Sequence, residues 1–142
     1  MKPYHKFLEH TADELFVAEA ESLGELFEQC ALAVGEVQVN IKEFKQTEQK
    51  EITGENKKIE YLLFDFLDDL LFYKDTERLI FSKLKCEVKE ENGKYKLKCQ
   101  AYGEKINPEK HEQKVDIKAI TMHMFEVKQT KEGWYAKVLV DI

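Results

Sequence analysis

Asp13 and Asp141 stand near opposite ends of the chain, each where an apolar run meets a polar break. Asp13 closes the tetrapeptide His10-Thr11-Ala12-Asp13. Asp141 follows Val138-Leu139-Val140 and precedes Ile142, the last residue of the sequence. On spacing alone, Asp13 reads most simply as a turn residue whose side chain bonds nearby amides. A second use opens if the fold sets it beside the C-terminal end. Two Asp side chains and the terminal carboxylate would then converge, and like charges that close are costly unless a cation or a proton neutralises them. An all-oxygen ligand set of this kind suits a hard ion such as Ca²⁺, Mg²⁺ or Mn²⁺.

A second group of polar residues lies around one loop and the strand that it feeds: Gly103-Glu104, Asn107-Pro108-Glu109-Lys110-His111 and Lys118-Ala119-Ile120-Thr121-Met122-His123. His111 reads as an exposed loop histidine, and Lys118 and His123 as outward-facing strand residues. With His10, the residues Glu104, His111 and Lys118 form a candidate functional surface.

Other chemistry is excluded by what the sequence lacks. The four histidines, His5, His10, His111 and His123, have no metal-ligand spacing with one another or with a cysteine that would indicate zinc. There is no Walker loop, GxGxxG, GxSxG or HExxH. Cys30, Cys86 and Cys99 are an odd number without CxxC spacing, which argues against a disulfide framework or a zinc ribbon. They read as buried apolar fillers.

The elements that must position these residues follow from periodicity. Strands are predicted over residues 4–9 and 14–20. Ser22 and Glu25 form a capping box ahead of Leu23, Leu26, Phe27, Cys30, Ala31 and Val34, so a helix is predicted over 23–35. Residues 37–41 and 49–53 alternate and read as a hairpin or two edge strands. Asn56 is positioned to cap a second helix, in which Ile59, Leu62, Leu63, Phe66, Leu67, Leu70 and Leu71 line one face. Glu60, Asp65, Asp68 and Asp69 form its solvated side. Strands over 79–90, 94–106, 114–128 and 134–142 follow, with turns at Asn92-Gly93 and Lys131-Glu132-Gly133. Two helices set against these strands predict a single compact α+β domain, the helices packed on a mostly antiparallel sheet.

At 142 residues the chain has the length of one domain, able to enclose a core without disulfides or structural metal. Its net charge of −6 sets direct RNA binding at a disadvantage, because that affinity comes largely from cations displacing counterions on phosphates. Lysines alternate with glutamates along 83–90, as on a solvated strand face. No apolar h-region opens the sequence, and the most apolar stretch, 59–73, is broken by four carboxylates. No membrane is expected and a cytoplasmic location is.

The same polar segments carry a resemblance to the archease family. His10-Thr11-Ala12-Asp13, Leu23-Gly24-Glu25-Leu26-Phe27, Leu62-Leu63-Phe64-Asp65-Phe66-Leu67, Gly103-Glu104, Pro108-Glu109-Lys110-His111, Lys118-Ala119-Ile120-Thr121-Met122-His123, Trp134-Tyr135-Ala136 and Asp141-Ile142 are similar to its landmarks, in order, over nearly the whole chain. The resemblance implies an accessory protein that activates the tRNA-splicing RNA ligase joining cyclic-phosphate or phosphate ends to hydroxyl ends. Such an activator promotes guanylylation of a ligase histidine and multiple turnover. It also implies that Asp13, Asp141 and Ile142 are metal ligands, and that RNA is met only through the ligase. The sequence departs from the family pattern at Glu14-Leu15, where an apolar residue and a glycine are usual, and around Glu19 to Glu21. Two other readings stay open: a stand-alone metal-dependent phosphoester hydrolase, and a non-catalytic, chaperone-like binding module.

Overall fold

Strand alternation and helical spacing resolve into seven strands and two long helices in a computed structural model that describes residues 1–10 and 12–142. In chain order these are β1 (Tyr4–Leu8), β2 (Glu14–Ala20), α1 (Leu23–Gln38), β3 (Glu48–Asn56), α2 (Ile59–Glu77), β4 (Leu79–Glu91), β5 (Lys94–Lys105), β6 (Ala119–Gln129) and β7 (Trp134–Asp141), with a short 3-10 turn at Ile41–Glu43. The α+β class is as expected. The strands, however, divide into two antiparallel sheets, ordered β1-β2-β7-β6 and β3-β5-β4. Each helix touches both sheets.

Ser22 caps the first helix as expected, its Oγ accepting the Glu25 amide at 3.2 Å, while the Glu25 carboxylate takes the Ser22 hydroxyl at 3.1 Å and not its amide, so half of the capping box forms. α1 then runs past Gly35 to Gln38, and the strand expected over 37–41 is absent. Alternating Val37-Gln38-Val39 mimics a strand, but Val37 and Gln38 are buried as the last helical turn, and burial overrides their preference. Val39 keeps only an isolated bridge to Gln113.

All seven apolar residues assigned to α2 are buried, each worth roughly 1.5–3 kcal/mol of gross burial, while Asp65, Asp68 and Asp69 face solvent. Asn56 does not cap the helix. Its Oδ1 accepts the Lys58 amide, two residues on and ahead of the helix, at 3.0 Å, and Lys58 takes the N-cap position. β1 is tied to α1 by His5, whose Nδ1 meets Gln29 Oε1 at 2.7 Å and whose Nε2 meets Glu36 Oε2 at 2.9 Å. The Glu36 carboxylate raises the His5 pKa against the opposing effect of burial, and His5 in turn lowers that of Glu36.

Asn92 and Gly93 both have positive φ, 52° and 75°, in the tight turn that sets the β4–β5 register. The strand expected over 114–128 begins only at Ala119. Residues 114–118 run along the end of α1 instead, where the Lys114 amide donates to the Gln38 carbonyl at 2.8 Å. β6 contains a wide irregularity: Thr121 pairs with Leu139 and Glu126 with Lys137, so four residues stand against Val138 alone. Met124 there has φ 60°.

Candidate functional site

β2 and β7 lie side by side, Glu14 opposite Val140 and Leu15 opposite Leu139. Asp13 immediately precedes Glu14 and Asp141 immediately follows Val140, so both aspartates stand at the same end of the β2–β7 pair, next to its last paired residues, at one corner of the first sheet. Both carboxylates are half-buried. Ile142 is half-buried and packs against the core. Lys118 is exposed, and its amide donates to the Asp141 carbonyl at 2.7 Å. His10 is exposed and lines a concavity of about 560 Å³ with Leu8, Glu9, Asp13 and Glu14.

The backbone at this corner is strained. Ala12, next to Asp13, has φ 69°, a left-handed conformation that a residue with a Cβ rarely adopts. Thr11 of the same tetrapeptide lies outside the described residues.

Glu104 and His111 come together elsewhere, at the end of β5 on the second sheet. The expectation of an exposed His111 is wrong: its side chain is fully buried and stacks on Phe44 with ring centroids 3.8 Å apart. His111 Nδ1 accepts the Asn107 amide at 2.9 Å, so Nε2 carries the proton and donates to Glu104 Oε1 at 3.0 Å. Glu104 also accepts from the Lys45 amide at 3.0 Å and from Lys110 Nζ at 2.9 Å. These donors, led by the Lys45 amide and Lys110, hold its carboxyl down at about 2.

The four residues of the candidate surface are therefore divided. Lys118 and His10 belong with the Asp13–Asp141 corner, whereas Glu104 and His111 form a closed knot pinning residues 107–112. The sequence reading missed Phe44, Lys45 and Asn107 as partners in that knot. Only the spacing of Asn107 and His111, one turn apart, hinted at any of it.

Chemically, the corner is made of oxygen. No three His, Cys, Asp or Glu side chains converge on one point among the described residues, so a metal here would take two side-chain carboxylates and complete its shell from Ile142 oxygens and water. Among the described residues, neither Asp13 nor Asp141 has an ion-pair or hydrogen-bond partner for its side chain. Oxygen-only, and without side-chain partners among the described residues, the two aspartates suit a hard divalent ion rather than zinc or copper. No helix among the described residues is long and apolar enough to cross a membrane.

Fold and site together define a small α+β protein of two antiparallel sheets and two helices, with a carboxylate corner where its first long strand meets its last. The sequence matches the archease protein family (MTH1598/TM1083) over residues 5–142, and the chain belongs to that family. Protein archease of Pyrococcus furiosus is 40% identical over 135 residues, 94% of this chain and 95% of that one. Its counterpart in Methanosarcina mazei is 37% identical over 139 residues, 97% and 95% of the two chains. The solution structure of Methanobacterium thermoautotrophicum protein 1598 superposes with a TM-score of 0.86 at 35% identity, covering 97% of this chain and 98% of that one. The crystal structure of a Thermotoga maritima archease, described as a possible chaperone, shares the fold at a TM-score of 0.62 and 22% identity, over 96% of each chain.

Proposed function

We infer that this protein is an accessory activator of the RNA-splicing ligase that joins cyclic-phosphate and hydroxyl ends. In this reading it has no independent turnover, acts in the cytoplasm, and promotes ligase guanylylation through a divalent ion held by Asp13, Asp141 and Ile142. The observation that carries the reading is that two carboxylates without a side-chain partner among the described residues stand at one end of the β2–β7 pair, within the span that matches the family. Ca²⁺, Mg²⁺ and Mn²⁺ all suit the oxygen set. Held by Asp13, Asp141 and Ile142, such an ion would supply charge neutralisation for nucleotidyl transfer.

The protein's own residues prepare the corner. β2–β7 pairing brings the two aspartates to one end of the sheet, the Lys118 amide holds the Asp141 backbone, and Ile142 packs against the core. A net charge of −6 would steer the protein towards a basic, RNA-handling partner, and RNA would be met only in that complex.

The test is the guanylylation rate of a cognate ligase with GTP and divalent ion. Stimulation should collapse with Asp13→Ala, Asp141→Ala, or a residue added after Ile142, each in a protein that stays folded. Unchanged stimulation by both Asp variants would sink the metal reading. Phosphoester turnover by the protein alone would favour a hydrolase instead. The Thermotoga relative's description and the exposed Tyr4, Phe7, Leu8, Met122 and Met124 support a second, chaperone-like reading. It predicts partner stabilisation that is indifferent to Asp13.

A further inference from the structure

Two of the three cysteines meet in space. Cys86 on β4 and Cys99 on β5 are equally far from the Asn92-Gly93 turn and face each other directly across the hairpin. Their sulfurs lie 2.7 Å apart, only about 0.7 Å beyond the length of a disulfide bond.

The backbone at Cys86 favours bond formation. Its amide donates outward to Glu28 Oε2 on α1 at 2.8 Å. Its carbonyl also faces that helix, so close that a Cβ on Gly24 would sit 2.2 Å from it. With both main-chain groups turned away from β5, the pair occupies a non-hydrogen-bonded site, where side chains of antiparallel strands come closest. Access differs between the two sulfurs. Cys99 is fully buried, whereas Cys86 is half-buried and borders an open cleft with Glu28, Lys85, Glu87, Lys98 and Gln100. Cys30, the third cysteine, is fully buried.

We propose that Cys86 and Cys99 are a thiol-oxidation site that closes a reversible cross-strand disulfide, Cys86 being the attacking thiol and Cys99 the resolving one. The oxidant is a small disulfide. The Cys86 thiolate attacks one of its sulfurs, forming a mixed disulfide and releasing one small thiolate. Cys99, on losing its proton, then attacks Cys86 Sγ, breaking the mixed bond and releasing the second. Both small thiolates leave as thiols carrying the two protons lost by the protein. The cysteines are oxidised, and the small disulfide is reduced.

The hydrogen bond with Cys99, followed by burial, raises the Cys86 pKa, and the Glu28 carboxylate adds to that rise. Oxidation is therefore slow at neutral pH and quickens as pH rises, because the thiolate is the attacking form.

The test is to incubate the full chain with oxidised glutathione at mildly alkaline pH and map the disulfides by non-reducing peptide mass spectrometry. A Cys86–Cys99 link that dithiothreitol reverses is expected. Cys99→Ser should stop at a Cys86–glutathione adduct, Cys86→Ser should remain reduced, and Cys30→Ser should oxidise like the native chain. Circular dichroism of each variant before oxidation shows whether it is folded, and mapping of the native chain decides the matter if one is not. Three free thiols in the native chain, under conditions that oxidise free dithiothreitol, would overturn the proposal. So would a link through Cys30.

Discussion

The Glu104–His111 knot and the Asp13–Asp141 corner use similar side chains to opposite ends. In the knot, one carboxylate collects a backbone amide, an ammonium and an imidazole N–H, and its pKa falls to about 2. At the corner, two carboxylates at one end of the β2–β7 pair have no side-chain partner among the described residues. A carboxylate whose lone pairs are filled by the protein's own donors has little left for an ion and serves the fold. One whose lone pairs stay open beside a second negative charge gains most from a cation. Exposure by itself does not separate the two, since Glu104, Asp13 and Asp141 are all half-buried.

The strongest way to break this contrast is to remove carboxylates from each region. Asp13→Ala or Asp141→Ala should weaken divalent-ion binding by more than about 100-fold in calorimetric titration, beyond the range expected of residues around a ligand shell. Glu104→Gln should leave that affinity alone. Equal losses from all three would erase the distinction.

His111→Ala should cost roughly 2 kcal/mol in urea unfolding, because the Asn107 amide and the Glu104 carboxylate each lose a buried partner. Ion affinity should not follow. Acid sharpens the comparison further. The Glu104 carboxyl falls from 4.5 to about 2 on folding, so its contribution is fully present above pH 4.5 and disappears as pH falls through about 2. Urea midpoints measured down that range should drop less steeply for Glu104→Gln than for the native chain.

The smallest effect belongs to His5. Its folded pKa is raised above 6.5, chiefly by Glu36, so the stability it adds is present below pH 6.5 and lost as pH climbs through the raised value. About 0.5 kcal/mol is expected for this partly exposed pair. Comparing His5→Gln with the native chain at pH 6 and pH 8.5 should show the native advantage only at the lower pH.

Sequence made the two regions unequally legible. α2 was readable to the residue on its buried face, because seven apolar side chains at helical spacing have no other coherent reading. Residues 37–41 misled because β-branched alternation marks a strand only when a neighbouring strand is available, and here α1 took the first two into its buried last turn. His111 misled for a different reason. Its burial depends on Phe44 and Glu104, which the chain path brings together and which no local pattern announces. On spacing Asp13 reads as a turn residue, a family resemblance points to ligation, and only β2–β7 pairing brings it to the same end of the sheet as Asp141. The Cys86–Cys99 pairing, by contrast, was recoverable from the Asn92-Gly93 turn, since a two-residue hairpin fixes which residues face each other.

The four-against-one mismatch in β6 has a consequence for how the molecule behaves in a crowded solution. β6 is a free margin of its sheet, and a straight margin is a template on which a second chain can lay a strand and begin to aggregate. Here Met122, His123, Met124 and Phe125 interrupt the pairing rhythm, and Met124 turns the backbone into a left-handed step. An incoming strand could match only a few consecutive amides before losing phase. The irregularity thus protects the protein against self-templated precipitation while leaving the carboxylate corner at the start of β6 undisturbed.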